Sequence, residues 1–169
     1  LERNINQKNI LITGAGGSIG SELARQIVNL GPCKIVLLDN SEFNLYTIHQ
    51  ELSSLLINIE IIPALCTITN YYQLKKIISQ HQINTIYHAA AYKHVPMVEK
   101  NVVEGVRNNV LGTFNAARAA LDAEVPTFVL VSTDKAVRPT NVMGASKRLA
   151  ELVLQGLAQQ EGFTTFCMV

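Results

Sequence analysis

Short apolar runs alternate with amphipathic segments along the whole chain. The runs lie at 9–13, 34–38, 59–62, 85–88, 128–131 and 165–169, and nearly every position in them is aliphatic or β-branched. Such runs are typical of parallel strands that are covered on both faces. Strands that alternate with helices through crossovers of this length predict an α/β fold with a doubly wound parallel sheet of about six strands.

Five helices are predicted between the runs, and most of them carry start or stop signals. Gly31-Pro32 ends the first helix, and Asn70 with Gln73 resembles a capping box that opens the third. The longest helix places its valines on one stripe, and the last helix stops at Gly162. The predicted ranges are 19–30, 43–56, 70–78, 98–121 (with Val98, Val102, Val106 and Val110 on the stripe) and 145–160.

A glycine-rich loop follows the first run directly and opens the first helix. Its sequence is Thr13-Gly14-Ala15-Gly16-Gly17-Ser18-Ile19-Gly20. The first glycine permits a tight turn, the second lets backbone approach a pyrophosphate, and the helix N-terminus offers unpaired N–H groups. The loop predicts a Rossmann-type dinucleotide site whose cofactor-binding residues are Thr13, Gly14, Gly17, Ser18, Ile19 and Gly20. The alternative is a glycine-rich turn that binds no ligand.

Asp39 ends the second run, about twenty residues beyond the loop, where a carboxylate can accept hydrogen bonds from ribose hydroxyls. A carboxylate there repels a 2′-phosphate, so NAD is predicted in preference to NADP. The alternative role for Asp39 is to cap the helix that starts near Ser41. Small residues after the fourth run let backbone pass close beneath a cofactor, and these are Ala89, Ala90 and Ala91. His88 is predicted to be a hydrogen-bonded histidine at a strand end, and neither a catalyst nor a metal ligand.

Polar residues 132–135 leave the fifth run at the carboxyl edge of the predicted sheet, where ligands of open α/β folds bind. Met143 and Lys147 are four residues apart and therefore share one face of the last helix. The alternatives are a plain turn at the start of this segment, a solvated charge pair formed by Asp134 and Lys135, and an exposed helix lysine at 147.

At this point the chain resembles the extended short-chain dehydrogenases/reductases. More narrowly, it resembles the nucleotide-sugar 4,6-dehydratases of capsule and O-antigen biosynthesis, which act on UDP-N-acetylglucosamine. The blocks that carry the resemblance are 12–23, 39–43, 88–96, 109–113, and 132–135 through Met143 to 147–151. They span nearly the whole chain in the expected order, and Lys93-His94-Val95-Pro96 and Thr133-Asp134-Lys135 are the most diagnostic.

The resemblance implies a redox-neutral cycle on tightly held NAD. Hydride leaves sugar C4, water is eliminated across C5 and C6, and the hydride returns to C6. By matching positions, Lys135 is the base, Asp134 is the acid, and Lys147 binds the nicotinamide ribose. Thr133 hydrogen-bonds the sugar, and Lys93 lies near the substrate. Further cofactor contacts implied by the resemblance are Asn40, Thr67 and Asn109.

Two positions depart from the family pattern. Most short-chain dehydrogenases carry a tyrosine base four residues before the lysine, where this chain has Met143, whose thioether cannot exchange a proton. The larger, membrane-anchored branch of the dehydratase family shares this methionine, and the acceptor of the 4-hydroxyl proton stays open. Thr67 stands where relatives usually carry an acid that contacts adenine, and its hydroxyl is a weaker partner.

Composition limits the remaining possibilities. The 169 residues suit a single domain, 1–169, and the net charge of +1 gives no electrostatic reason to expect nucleic acid. No CxxC spacing joins the three cysteines, so buried reduced thiols are expected and a metal site is not. No apolar run approaches the length of a membrane span.

The chain begins at Leu1 and stops at the sixth run, whereas relatives of the resembled family continue into a portion that builds much of the nucleotide-sugar pocket. We therefore expect a piece of a longer protein that binds cofactor but alone turns over little substrate. The parent is expected in the cytoplasm, with a membrane anchor upstream left open. The apolar stripe of the 98–121 helix is expected in the core, but relatives of this fold often dimerise through this helix and the last one, so a homodimer or higher oligomer stays open. Two other functions stay open: another extended enzyme such as an epimerase or reductase, and a non-catalytic NAD-binding module.

Overall fold

The sheet has six parallel strands in the order β3-β2-β1-β4-β5-β6, in a computed structural model that describes residues 2–55, 58–161 and 166–168. The strand order reverses between β1 and β4, as in doubly wound folds. The strands are β1 (Asn9–Thr13), β2 (Lys34–Asp39), β3 (Glu60–Leu65), β4 (Thr85–His88), β5 (Thr127–Leu130) and β6 (Phe166–Met168). The predicted fold class is confirmed.

Seven α-helices lie in these described ranges. They are α1 (Ser18–Val28), α2 (Glu42–Ser53), α3 (Tyr71–Gln80), α4 (Val95–Lys100), α5 (Val102–Val106), α6 (Gly112–Asp122) and α7 (Val142–Glu161). A π-helical turn, Arg107–Leu111, joins α5 to α6, and Asp134–Ala136 forms a 3₁₀ turn after β5. Within 2–55, 58–161 and 166–168, no helix has the length and apolar character needed to cross a membrane.

Each face of the sheet packs against its own helices. Along β2, Ile35 and Leu37 face a core shared with α1 and α2, whereas Val36 and Leu38 face a core shared with α3, α6 and α7. All four side chains are fully buried. The alternation explains why the four central positions, 35–38, are all apolar: a parallel strand in the middle of the sheet has no solvent face.

The edge strand β3 departs from that expectation. It runs from Glu60 to Leu65, extending beyond the predicted range, and Glu60, Pro63 and Leu65 are exposed. An edge strand can accept Pro63 because one side of its backbone has no neighbour to which it must donate. The prediction that every strand is covered on both faces is therefore wrong for β3.

The predicted single helix over 98–121 is also wrong. Pro96 near the start of α4 favours an earlier beginning, and Asn101 breaks the chain with φ −136° and ψ 55°. Its side-chain amide donates to the Met97 carbonyl at 2.9 Å, while its own carbonyl accepts the Gly105 N–H at 2.9 Å. Asn101 thus ends one helix and starts the next, so the valines share no single face: Val102 is 43% exposed.

Other boundaries differ by a few residues. The Asn70 side chain accepts the Gln73 N–H at 3.1 Å, which confirms the predicted N-cap of α3. Helix α7 begins three residues before its predicted start, because the Asn141 side chain accepts the Gly144 N–H at 2.8 Å. The predicted stop at Gly162 lies outside the described residues. Cys66 is buried as expected, whereas Cys33 is exposed.

Candidate cofactor and active site

The glycine loop between β1 and α1 forms a cradle of backbone. Gly14 has φ +68°, and its carbonyl accepts the Gly17 N–H at 3.0 Å. A Cβ added at Gly20 would lie 2.0 Å from that same carbonyl oxygen, so only glycine allows α1 to start this close to the loop. Gly17 is the N-cap of α1, and no side chain caps it. The first N–H groups of the helix are therefore available to an anion.

Asp39 joins this loop to the start of α2. One carboxylate oxygen accepts the Gly16 N–H at 2.9 Å, and the other accepts the Ser41 N–H at 2.9 Å. The cap of α2 itself is Ser41, whose hydroxyl accepts the Asn44 N–H. Asp39 is buried, yet each carboxylate oxygen has further acceptor capacity on the side of the cavity. The Asp39 carboxylate therefore holds the glycine loop in place and can still accept a hydrogen bond from a ligand hydroxyl.

Two hollows lie along the carboxyl edge of the sheet and share Ala89 and Ala91. The loop-side hollow is lined by Gly14, Gly17, Leu38, Asp39, Asn40, Ser41, Asn44, Cys66, Ile68, Ala89, Ala90, Ala91, Tyr92 and Asn108. The strand-five hollow is lined by Ile19, Ala89, Ala91, Lys93, Val131, Ser132, Thr133, Lys135, Met143 and Lys147. The loop-side hollow thus contains seven of the fourteen predicted cofactor residues, and the strand-five hollow contains four of the five predicted catalytic residues, all except Asp134.

Residues 133–135 form the exposed lip of the strand-five hollow. The Thr133 hydroxyl accepts the Lys135 N–H at 3.3 Å and donates to the Asp134 carboxylate at 3.0 Å. Asp134 and Lys135 are both exposed, and Asp134 lies outside the residues that line the hollow. Thr133 therefore shapes the turn and orients the Asp134 carboxylate, and a hydrogen bond from Thr133 to a sugar stays a prediction.

Lys147 is buried, which excludes the exposed helix lysine considered above. It is 7% exposed, and its Nζ donates to the Val131 carbonyl at 2.9 Å. Burial lowers the pKa of Lys147 to about 8, and the nearby Glu151 carboxylate opposes that shift. Met143, one turn earlier, is 2% exposed and lines the same hollow. The predicted shared face of Met143 and Lys147 is confirmed.

Lys93 lies between the strand-five hollow and the start of α1. Its ammonium donates to the hydroxyl of Ser18, the first residue of α1, and its side chain lines the strand-five hollow. A cation at this helix N-terminus adds to the positive end of the helix dipole. The position suits a negatively charged ligand group that passes from one hollow to the other.

His88 lies in a buried hydrogen-bond chain beneath the site. The Thr113 hydroxyl donates its only proton to the Asn109 carbonyl at 2.7 Å, so it must accept from His88 Nε2 at 3.0 Å. His88 Nδ1 then accepts from the Thr13 hydroxyl at 2.7 Å. Burial, with Lys147 nearby, lowers the pKa of His88 to about 3, so the ring is neutral. The prediction of a hydrogen-bonded strand-end histidine is confirmed.

Two predicted cofactor contacts have other partners here. The Asn109 side chain accepts the Tyr92 N–H at 2.8 Å and donates to the Tyr92 carbonyl and the Ser146 hydroxyl. The Thr67 hydroxyl pairs with that of Thr69 at 2.9 Å, and its neighbours on either side line the loop-side hollow instead. Direct contact of Asn109 or Thr67 with a cofactor stays a prediction. Asn109 holds the 89–93 segment in place through the Tyr92 backbone.

Known proteins resemble this chain in both sequence and fold. The sequence model of the family described as "Polysaccharide biosynthesis protein" matches residues 10–169. The chain belongs to this polysaccharide biosynthesis family. The resemblance stated from the five sequence blocks is thereby confirmed at the level of the family.

Two relatives carry related names. The capsular polysaccharide biosynthesis protein CapD of Staphylococcus aureus is 48% identical over 170 residues, covering 100% of this chain. The probable polysaccharide biosynthesis protein EpsC of Bacillus subtilis (strain 168) is 41% identical over 160 residues, covering 94% of this chain. The chain spans 28% of the length of CapD and 27% of that of EpsC.

Two solved structures share the fold. Pen from Bacillus thuringiensis has a TM-score of 0.87 at 29% identity, over 97% of this chain and 49% of that chain. A double mutant of DesIV, a dTDP-glucose 4,6-dehydratase from Streptomyces venezuelae solved with NAD and DAU bound, has a TM-score of 0.84 at 22% identity. It is matched over 95% of this chain and 54% of that chain. The identity to DesIV supports the fold alone.

Several residues of this family member were not found by sequence reasoning. Asn44, Cys66, Ile68 and Asn108 line the loop-side hollow without belonging to any recognised motif. Glu151 was quoted only as the end of a sequence block, yet it is buried against Ser132. Its spacing of four residues from Lys147 was an available signal, because residues at that spacing meet on a helix surface.

Proposed function

We propose that this chain is the NAD-binding part of a nucleotide-sugar 4,6-dehydratase that acts on UDP-N-acetylglucosamine in bacterial polysaccharide biosynthesis. One observation carries the proposal. The hollow bounded by the glycine loop and Asp39 continues, through Ala89 and Ala91, into the hollow bounded by Thr133, Lys135 and Lys147. A dinucleotide that lies along this edge would present its reactive ring beside charged groups suited to proton transfer.

The loop-side hollow fits an adenine dinucleotide. A Cβ at Gly14 would lie 2.7 Å from the backbone of Ala90, and one at Gly20 would meet the Gly14 carbonyl, so the cradle depends on the absence of side chains. Asp39 offers acceptors to ribose hydroxyls and repels a 2′-phosphate, which favours NAD over NADP. When bound, NAD⁺ accepts a hydride from a sugar carbon and can return it to another.

The strand-five hollow fits proton transfer on the sugar. Lys135 takes the proton from C5, and Asp134 supplies a proton to the departing 6-hydroxyl, so that one water leaves per sugar. The Lys147 ammonium stabilises negative charge that develops on the C4 oxygen. The Thr133 hydroxyl binds the sugar while it orients Asp134, and Lys93 lies at the entrance of the same hollow.

Met143 argues for a dehydratase of this branch and against a tyrosine-dependent epimerase or reductase. It is buried in the wall of the strand-five hollow at the position where those enzymes carry a phenol, and its thioether neither donates nor accepts a transferable proton. Its contribution is an apolar wall that excludes water from the reacting carbons. In the proposal the natural-length protein works on the cytoplasmic side of the membrane, where nucleotide sugars are available.

The test is incubation of the natural-length protein with NAD and UDP-N-acetylglucosamine in deuterated water, followed by mass spectrometry. The proposal predicts loss of one water per sugar and entry of solvent deuterium at C5, because the C5 proton passes through Lys135. A 4-epimer of unchanged mass would select the epimerase reading instead. Saturable NAD binding without any change in the sugar would favour a non-catalytic module.

A further inference from the structure

One acidic side chain is buried behind the strand-five hollow. Glu151 on α7 is 9% exposed, one of its carboxylate oxygens accepts from the Ser132 hydroxyl, and the other accepts from Arg148 at 2.8 Å. A buried carboxylate is costly unless both oxygens are engaged. Here both oxygens are, and the first of these partners lies at the exit of β5, directly before residues 133–135.

Glu151 also lies one helical turn beyond Lys147. Lys147 is itself buried, and its ammonium reaches only as far as the Val131 carbonyl. The other ionisable groups around it are His88 on β4, which is neutral, and Lys93 and Lys135, which line the same hollow. None of these three carries a negative charge. Glu151 is the carboxylate that offsets the cost of burying the lysine.

Consecutive residues at the exit of β5 are thus attached to consecutive turns of α7. The Val131 carbonyl is held by Lys147, and the Ser132 hydroxyl is held by Glu151. The Val131 N–H also donates to the His88 carbonyl at 3.0 Å, which fixes the same point to β4. Residues 133–135 therefore leave the sheet from an anchored position, although Asp134 and Lys135 are themselves exposed.

We propose that Glu151 is a positioning residue for the dehydratase reaction: it anchors the segment that carries Thr133, Asp134 and Lys135, and it supplies a negative charge one turn of α7 from the Lys147 ammonium. The inference rests on the proposed function for its catalytic consequence. The electrostatic half of the inference, the effect of Glu151 on the titration of Lys147, concerns the folded chain alone and can be measured without any substrate.

The first experiment is an NMR titration of Lys147 in the chain labelled with ¹³C at lysine Cε, with the signal assigned through Lys147→Met. In Glu151→Gln the titration midpoint of Lys147 should fall by about one pH unit, because the Glu151 carboxylate raises the pKa of Lys147 and a nearby opposite charge shifts a pKa by about that amount. Glu22→Gln is the matched control, since Glu22 forms an i,i+3 pair with Arg25, as Glu151 does with Arg148, but Glu22 is exposed whereas Glu151 is buried. An unchanged midpoint in Glu151→Gln would overturn the electrostatic half.

The second experiment separates position from charge. Ser132→Ala removes the anchoring hydroxyl but retains both charges, so the Lys147 midpoint should stay at the wild-type value while kcat of the natural-length protein falls about tenfold. In Glu151→Gln the basic limb of the pH–rate profile should move to lower pH together with the NMR midpoint. If Glu151→Gln does not fold, Glu151→Asp replaces it: the charge remains, the reach shortens, and kcat should fall with the midpoint unchanged.

The outcomes keep the two proposals apart. A wild-type protein that loses no water from the sugar refutes the proposed dehydratase, while the NMR titration still decides whether Glu151 controls the charge of Lys147. An active wild type whose Ser132→Ala and Glu151→Gln variants match its kcat and its pH profile would refute the positioning role and leave the dehydratase standing.

Discussion

The two hollows at the carboxyl edge of the sheet differ in the atoms that form them, which are mostly backbone in one and mostly side chain in the other. The loop-side hollow is mostly backbone: Gly14 and Gly20 bring chain segments into contact, and Asp39 is held by two N–H groups. The strand-five hollow depends on side chains from two separate elements, with buried Lys147 on α7 facing exposed Lys135 after β5. Binding geometry is therefore encoded locally in the chain, whereas the proposed chemistry needs tertiary packing to assemble it.

The largest effect is expected where the backbone cradle is filled. In Gly20→Ala the new Cβ would lie 2.0 Å from the Gly14 carbonyl, and backbone on both sides must move. We expect a loss of stability of roughly 4 kcal/mol and no saturable NAD binding at concentrations that saturate the wild type. Thermal unfolding and calorimetry measure the two.

The matched control is Gly156→Ala in α7. A Cβ at Gly156 meets nothing within 4 Å, so alanine should stabilise the helix by roughly 0.5–1 kcal/mol and leave NAD affinity unchanged. If both alanine variants kept stability and NAD binding alike, the contact between residue 20 and the Gly14 carbonyl would not be the constraint on this position.

The next effect concerns the side-chain hollow and should leave the cradle intact. Lys135→Met removes the proposed base from an exposed turn, so kcat for dehydration should fall by about 10²–10⁴-fold. NAD affinity should stay at the wild-type value, because Lys135 lines only the strand-five hollow. Lys76→Met, at an exposed lysine of α3, is the control. Retained dehydration in Lys135→Met would remove this residue from the mechanism.

The difference between a hollow formed by backbone and a hollow formed by side chains also separates what the sequence could predict from what it could not. The apolar runs and the spacing of Gly14, Gly17 and Gly20 predicted six parallel strands and the cradle, because a buried parallel strand and a tight phosphate turn each leave a local residue pattern. The exit of β5 and the Met143–Lys147 spacing predicted residues that line one hollow, among them Thr133, Lys135, Met143 and Lys147. These inferences needed no knowledge of contacts between distant segments.

The features that could not be predicted from the sequence depend on contacts between distant segments of the chain. The apolar spacing of Val98 and Val102 continues across Asn101, but Asn101 bonds to both neighbouring helices and ends the pattern. The burial of Lys147 follows from how α7 packs against β5, and a lysine in a sequence carries no sign of that. The same holds for Glu151, whose Ser132 partner is 19 residues away.

A smaller effect concerns His88, which lies beneath both hollows. The folded-state pKa of about 3 lies below the usual 6.5, so between these values the unfolded chain binds more protons and stability falls as pH falls. From pH 6.5 to 5 the expected loss is about 2 kcal/mol, since one proton is worth about 1.4 kcal/mol per pH unit. Urea unfolding across this window measures it. The lowered pKa of Lys147 adds no slope there, because both its folded and unfolded forms are protonated below pH 8.

His88→Gln supplies the control for that slope. Glutamine does not titrate, so the variant should be less stable at pH 6.5, where the Thr13–His88–Thr113 chain is broken, but should lose less stability than the wild type on acidification. An equal slope in both proteins would assign the acid sensitivity to other groups and leave His88 as a packing residue only.

The smallest expected effect separates the two roles of Asp39, which are to hold the glycine loop and the start of α2 and to favour NAD over NADP. An asparagine has one acceptor oxygen, so in Asp39→Asn either the Gly16 or the Ser41 N–H loses its partner, and the repulsion of a 2′-phosphate disappears. We expect NAD affinity to fall about tenfold, in line with the loss of a hydrogen bond to a charged group, while NADP affinity falls less or rises. Ser41→Ala removes only the α2 cap and should cost about 1 kcal/mol of stability with the NAD-to-NADP preference unchanged. If Asp39→Asn also retains that preference, the carboxylate serves the loop and helix alone, and the choice of cofactor must come from elsewhere in the loop-side hollow.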